Sequence, residues 1–188
     1  MVLNLKKTII LAGIAILVLA SSAGSYFYLK STRSSKIPSV SPNIAKIGVR
    51  TRKFPPFLAE LPQVSHIEGE QSLAELEQLH GRRVPLLNAF IVRYERGYSY
   101  IEMWISVSRT KKEAAALEAR MTAALSRTGM YTAPQPIAVR DKTVYGTFGT
   151  RARTLNYYFA SGREVVWLET NLSADEIFPY LPEVIEKY

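Results

Sequence analysis

A histidine and two carboxylates alternate in the segment HIEGE, at His66, Glu68 and Glu70. In an extended chain, alternate side chains project to the same side, and a histidine with two carboxylates can hold a divalent metal. This pattern defines one hypothesis, a metal-assisted hydrolase. The segment also precedes a predicted helix, where acidic residues are favoured by the helix dipole. The sequence therefore assigns no metal site, no cofactor and no catalytic residue.

A second set of candidate residues lies in two predicted β-hairpins, LLNAFIVRYE with YSYIEMWISVS and LNYYFA with REVVWLET. Two-residue turns are predicted at Arg96-Gly97 and Ser161-Gly162, and alternation then gives each hairpin one apolar and one amphipathic face. The candidate binding residues on the amphipathic faces are Arg93, Tyr100, Glu102, Trp104, Asn156, Tyr158 and Trp167. Such aromatics could bind a peptide, a glycan or a partner subunit, unless the FPPFL segment or the final helix covers them.

The apolar faces of the two hairpins are expected to form a helix-covered core. Their residues are Phe90, Val92, Ile101, Met103 and Ile105 in one hairpin, and Leu155, Tyr157, Val166 and Leu168 in the other. On the amphipathic faces, Trp167 is expected to pack as core and Trp104 to be the more exposed. Glu102 and Glu169 could act as an acid–base pair only if their strands were neighbours, which sequence spacing does not fix.

Several enzymatic chemistries lack the residues they need. The chain has no cysteine, which excludes disulfides, thiolate metal sites and a cysteine nucleophile. The stretch GTFGTR, at 146–151, has spaced glycines but no helical pattern after it, so it does not predict a phosphate loop. Neither a G-x-S-x-G nor an H-E-x-x-H motif occurs. These observations favour a non-catalytic protein.

Positive charge is concentrated at the start of the chain. The formal net charge is +8, yet residues 1–59 hold nine of the 24 Lys and Arg residues and none of the 16 Asp and Glu residues. Residues 60–188 therefore carry 15 basic and 16 acidic side chains, a net charge of −1. A nearly neutral domain argues against a nucleic-acid partner, which would require a basic face.

Residues 8–29 contain no charged side chain. As a helix they would span roughly 33 Å, close to the hydrocarbon thickness of a bilayer. Apolar residues continue through Tyr28 and Leu29, which favours a retained anchor in residues 1–29 over a cleaved signal peptide. The small residues around Ser21–Ala23 keep cleavage open as the alternative. The short basic tail favours an extracytoplasmic domain, although the basic residues after the anchor favour the opposite orientation.

Residues 30–59 are interpreted as a basic, Ser- and Pro-rich linker that ends in an arm, FPPFL. The candidate contacts to a membrane surface are Lys30, Arg33, Lys36, Arg50, Arg52 and Lys53. The prolines in the arm exclude a regular helix there. Its aromatic and leucine side chains could still pack on the domain.

Residues 60–188 are predicted to form an α+β domain. Three Ser/Thr-x-x-Glu capping boxes, at Ser72, Thr110 and Ser173, predict helix starts, and Gly81 and Gly129 are predicted to end the first two helices. Between the helices, two long hairpins and a further strand at 144–149 predict an antiparallel sheet covered by helices.

The leading interpretation is a single-pass, membrane-anchored and extracytoplasmic interaction domain without catalytic activity. It would contact membrane lipid and a protein partner, as an accessory subunit of a membrane or envelope assembly. A cleaved secreted or periplasmic ligand-binding protein is one alternative. The metal-assisted hydrolase using His66, Glu68 and Glu70 is the other.

Overall fold

The computed structural model describes residues 52–80 and 83–188. The predicted anchor and the basic residues Lys30, Arg33, Lys36 and Arg50 lie outside the described residues. Among the helices that are described, none is both long and apolar enough to cross a membrane.

The described residues contain one antiparallel sheet of eight strands, in the order β1-β2-β3-β4-β8-β7-β6-β5. The strands are β1 (Phe57–Leu58), β2 (Leu61–Glu68), β3 (Asn88–Arg96), β4 (Ser99–Val107), β5 (Gln135–Val139), β6 (Lys142–Gly149), β7 (Thr154–Ser161) and β8 (Glu164–Thr170). Two meanders, β1 to β4 and β5 to β8, are joined where β4 pairs with β8. The α+β class with two long hairpins is confirmed for this part of the chain, and β1, β2 and β5 add strands that the sequence did not predict.

The helices of the described residues are α1 (Glu70–His80), α2 (Lys111–Thr128), α3 (Ala174–Ile177) and α4 (Leu181–Lys187), with a short 3-10 segment (Phe178–Tyr180) between the last two. The capping box that begins α2 is confirmed, because the Glu113 amide donates to Thr110 Oγ1 at 3.1 Å and the Thr110 amide donates to the Glu113 carboxylate at 3.3 Å. Gly129 ends α2 with φ of 65°. The prolines divide the C-terminal stretch into short pieces, as predicted.

Ser72 does not cap the first helix, and that prediction is wrong. The helix begins at Glu70, after Gly69 turns the chain with φ of 72°. Ser72 is instead fully buried, and its hydroxyl donates to the carbonyl of Ala89 at 2.6 Å. The serine therefore connects α1 to the start of β3 through a tertiary contact, which no local sequence pattern predicts.

Both hairpin turns lie one residue later than predicted, at Gly97-Tyr98 and Gly162-Arg163. The glycines adopt φ of 63° and 57°, which other residues tolerate poorly. Pairing is thereby displaced by two residues. Because side chains alternate with a period of two, the predicted faces are unchanged.

The first face of the sheet holds the larger core. It comprises the predicted apolar residues together with Tyr94, Val139, Val144 and Phe159. The C-terminal helices cover this face with Ile177, Leu181, Val184 and Ile185, all nearly inaccessible to solvent. The predicted helix-covered core is confirmed, and the short C-terminal helices, rather than the long α2, provide its cover.

The arm also lies against the first face. Phe54 packs edge-on against Phe90, with ring centroids 5.9 Å apart, and Leu58 is buried in the core. Phe57, by contrast, is 55% exposed. Residues upstream of residue 60 therefore pack on the domain.

The second face is covered by α1 and α2. Helix α2 packs Ala114 and Leu117 on Val165, and its Glu118 carboxylate accepts the Ala160 amide of β7 at 2.7 Å. Helix α1 lies over β2 and β3, while α2 lies over β7 and β8. The central strand β4 therefore runs between the two helices, in a three-layer arrangement with helices on both sides of the sheet.

Candidate binding site

An aromatic row crosses the second face. Directly opposed residues on six neighbouring strands form it: Ile67, Ile91, Trp104, Trp167, Tyr158 and Tyr145. The rings of Trp167 and Tyr158 are stacked at 5.3 Å with an interplanar angle of 12°, and those of Tyr158 and Tyr145 at 5.3 Å with 19°. Parallel stacking in register makes the Tyr145–Trp167 half of this row a rigid ladder.

A polar row runs beside the aromatic row, one pleat away. Its directly opposed members are Ser65, Arg93, Glu102, Glu169, Asn156 and Thr147. Charged side chains thus sit in the middle of the sheet, where β4 pairs with β8. Cross-strand pairs of like charge destabilise a sheet, so the Glu102–Glu169 pair is unfavourable for folding. Conflicts of this kind concentrate at functional sites.

The carboxyl group of Glu169 is largely withdrawn from solvent. Burial raises its pKa, the neighbouring Glu102 raises it further, and the Tyr100 hydroxyl and Arg93 oppose the shift. The Tyr100 hydroxyl donates to Glu169 Oε1 at 2.8 Å. Burial likewise raises the pKa of that phenol, so it remains a hydrogen-bond donor at neutral pH.

Arg93 neutralises the other side of the polar row. Its Nε donates to Glu95 Oε2 at 2.6 Å, and its Nη1 lies 3.4 Å from Glu102 Oε1. The guanidinium also stacks on the Tyr100 ring, 4.4 Å from the centroid. The indole Nε1 of Trp104 completes the group by donating to Glu102 Oε2 at 3.3 Å.

Two further residues border these rows from outside the sheet. Tyr131, after α2, contacts Trp167 edge-on, with ring centroids 5.8 Å apart. Burial raises the pKa of its phenol, and the charge of Glu169 raises it further. Glu75, on α1, is close enough to Glu102 for that charge to contribute to its raised pKa, although burial is the larger cause. We use the name cleft for the half-buried surface formed by Glu102, Glu169 and Trp104, which Glu75 of α1 and Tyr131 border.

The structure brings together all seven residues of the predicted aromatic face. Arg93, Tyr100, Glu102, Trp104 and Trp167 are half-buried, whereas Asn156 and Tyr158 are fully buried. The Tyr158 hydroxyl contacts Thr122 of α2 at 2.8 Å. The elements that cover part of this face are thus α1, α2 and Tyr131, and not the arm or the final helix, as the covered alternative supposed.

Glu75 and Tyr131 are site residues that sequence reasoning did not select. Glu169 entered it only as a conditional partner of Glu102, and the structure meets that condition, because β4 and β8 are neighbours and the two carboxylates are opposed. Its position follows from the pairing of β4 with β8, and those strands are separated by α2 and three further strands. No local pattern carries that information.

Two of the three residues in the metal hypothesis, His66 and Glu68, lie close together. His66 and Glu68 lie on β2 on the first face, with His66 Nε2 3.6 Å from Glu68 Oε2, and His66 also contacts the ring of Phe54. Glu70 is exposed at the start of α1, beyond the turn at Gly69. Among the residues described, no three His, Asp or Glu side chains are placed to hold a metal ion.

Two of the candidate membrane-surface residues are described. Arg52 donates through Nη1 to both carboxylate oxygens of Glu164, each at 2.8 Å, and stacks on the Tyr188 ring at 4.3 Å. Its charge is therefore matched within the domain. Lys53 is exposed.

The described residues define an α+β domain with one apolar face and one face that carries charge and aromatics. Searches of protein-family models, curated proteins and solved structures found no match for this chain.

Proposed function

We propose that this protein is a single-pass, membrane-anchored and extracytoplasmic interaction domain without catalytic activity, which binds a protein partner through the cleft. The observation that carries the proposal is the opposed carboxylate pair of Glu102 and Glu169 beside a half-buried Trp104. The opposed carboxylates cost folding energy, and tryptophan is one of the residue types that dominate binding hot spots. Membrane lipid is the second proposed contact, through the uncharged segment 8–29.

The proposal is tested by comparing two aromatic substitutions in the full-length protein. Trp104→Ala changes the cleft, whereas Tyr98→Ala removes an aromatic that is 98% exposed at a hairpin turn. After mild cross-linking in native membranes, we expect the partner recovered with the parent chain to fall at least tenfold for Trp104→Ala, since hot-spot losses exceed about 2 kcal/mol. Tyr98→Ala should leave recovery unchanged. Equal recovery with both variants would contradict binding at the cleft.

Membrane attachment has its own test. Mature protein is expected to begin at or near Met1 and to resist carbonate extraction. A soluble protein with a mature N-terminus near Gly24 would instead favour the secreted ligand-binding alternative.

A further inference from the structure

We infer that the cleft binds a cationic side chain, a lysine or arginine of a protein partner, between Trp104 and the carboxylates of Glu102 and Glu169. This inference rests on the proposed function and adds the chemical class of the group that is recognised. Three features of the second face support it: its charge balance, an unpartnered acceptor, and the orientation of its rings.

The charge balance favours a cation. Four carboxylates, those of Glu75, Glu95, Glu102 and Glu169, lie in this part of the second face, and the charge of Arg93 acts on Glu95, Glu102 and Glu169. Arg93 is committed to Glu95 and Glu102. Glu169 accepts a hydrogen bond from the neutral Tyr100 phenol and forms no ion pair in the described part of the chain, although the charge of Arg93 opposes the rise in its pKa.

A buried acceptor beside Glu169 also lacks a donor. Asn156 directly opposes Glu169 on the second face and is fully buried. Its Nδ2 donates to the carbonyl and hydroxyl oxygens of Thr154, while its Oδ1 has no hydrogen-bond partner. Buried polar atoms in native proteins are nearly always paired. The polar row thus holds more acceptors than donors next to Glu169, and an ammonium or guanidinium group, which donates several hydrogen bonds and accepts none, would supply donors there.

The ring orientation favours a cation over a sugar. A sugar-binding platform presents ring faces, but both faces of Tyr158 are occupied by its stacked neighbours Tyr145 and Trp167. Trp104 has no ring-to-ring contact among the described residues. An indole beside two carboxylates attracts a cation through its π-face as well as through their charge. Arg93 over Tyr100 is an intramolecular instance of the same pairing, one pleat along.

A bound cation should also release a proton. Burial and Glu102 hold the pKa of Glu169 above its ordinary value, and the other titratable groups facing it are Arg93, Tyr100 and Tyr131. A cation favours the ionised carboxylate. Binding should therefore strengthen as pH rises through the raised pKa, and Glu169→Gln should remove that dependence.

The experiment uses the fluorescence of the full-length protein in a zwitterionic detergent. The chain has two tryptophans, Trp104 and Trp167, so the signal reports on the cleft. The probe is a hexalysine peptide, compared with hexaglutamate and with a neutral hexamer of N-acetylglucosamine. We expect a saturable change with hexalysine and none with the other two probes.

Charge-neutral variants test the assigned residues. Glu102→Gln and Glu169→Gln should each weaken hexalysine binding about tenfold or more, the usual loss for a charge-assisted hydrogen bond. Glu186→Gln is the matched control, because this glutamate lies on α4, on the far side of the sheet, where it pairs with Arg140. Glu102→Asp retains the charge and should retain binding, which separates lost recognition from lost folding.

Three outcomes would overturn the inference. They are the absence of a saturable change with hexalysine, equal weakening by the Glu186→Gln control, and a response to the neutral sugar in place of the peptide. If hexalysine fails while Trp104→Ala still loses the native partner, the cationic class is wrong and the proposed function stands. If both fail, the cleft is not a binding site.

Discussion

The two faces of the sheet are built from the same strands but differ in what fills them. On the first face, residues of β4 and β8 such as Met103 and Leu168 are fully buried under apolar helices. On the second face, their immediate neighbours Glu102 and Glu169 form a pair of opposed carboxylates that are only half-buried. The first face thus provides most of the hydrophobic stabilisation, while the second carries groups that oppose folding. This difference separates stability from recognition and can be tested residue by residue.

The largest effect is expected on the first face. Leu168→Ala should lower the free energy of unfolding by about 2–5 kcal/mol, because the side chain is 1% exposed and its removal leaves a cavity. Leu79→Ala, the same substitution at a position on α1 that is 62% exposed, should change it by less than about 0.5 kcal/mol. Urea unfolding followed by circular dichroism measures both. Similar losses would mean that the first face is not the principal core.

The two tryptophans should differ on the second face. Trp167→Ala is expected to cost about 2–3 kcal/mol of stability, below the 3–5 typical of a fully buried tryptophan, because Trp167 is half-buried but packed between Tyr158 and Tyr131. Trp104→Ala should leave the melting temperature nearly unchanged. Thermal unfolding of both variants tests the asymmetry. Severe unfolding by both would make the whole aromatic row structural and remove the basis for a binding site.

A smaller effect should distinguish the two phenylalanines of the arm. Phe54→Ala is expected to lower the free energy of unfolding by about 1–2 kcal/mol, because this ring packs on Phe90 and His66. Phe57→Ala should lower it clearly less, because the Phe57 side chain is half-exposed. A chain shortened to residues 60–188 should accordingly melt below one of residues 46–188. Identical melting of the two shortened chains would show that the arm adds nothing to the first face.

The smallest effect is a gain. Burial and Glu102 raise the pKa of Glu169 above 4.5, so the folded state holds this proton more tightly than the unfolded state. The resulting stability is fully present below the ordinary pKa and is lost as pH rises through the raised one. Glu169→Gln should therefore stabilise the protein at neutral pH by a few tenths to about 1 kcal/mol, the range for a like-charge cross-strand pair. Unfolding curves measured from pH 4 upward should show a shallower decline for the variant. If the stability of the parent protein and of the variant declined equally with pH, the raised pKa of Glu169 would be contradicted.

The sequence predicted the faces of both hairpins correctly although both turns were placed one residue early. Face assignment depends on the parity of the pairing, and a displacement of two residues preserves it. The capping box at Thr110 was equally predictable, because it joins residues three apart in one helix turn. The serine at 72 fits the same motif but is withdrawn into a contact with Ala89, which the motif cannot reveal.

The strands β1, β2 and β5 were missed for a related reason. They lie at or near the two edges of the sheet, and β1 has only two residues. Strands β2 and β5 contain Pro62 and Pro136 and alternate weakly between apolar and polar residues. Strands with so little local preference are defined mainly by the neighbours that pair with them.

By itself, the sequence determined which side chains share a face within each hairpin, where α2 begins and ends, and that no cysteine chemistry is available. These properties depend on residues that are close along the chain or on composition alone. Only the tertiary structure decided that β4 pairs with β8, and hence that Glu102 opposes Glu169 and Trp104 opposes Trp167. Pairing between distant strands is set by the packing of both faces of the whole sheet, including the helices α1 and α2, which leave β4 uncovered on the second face. The candidate site exists only at that junction.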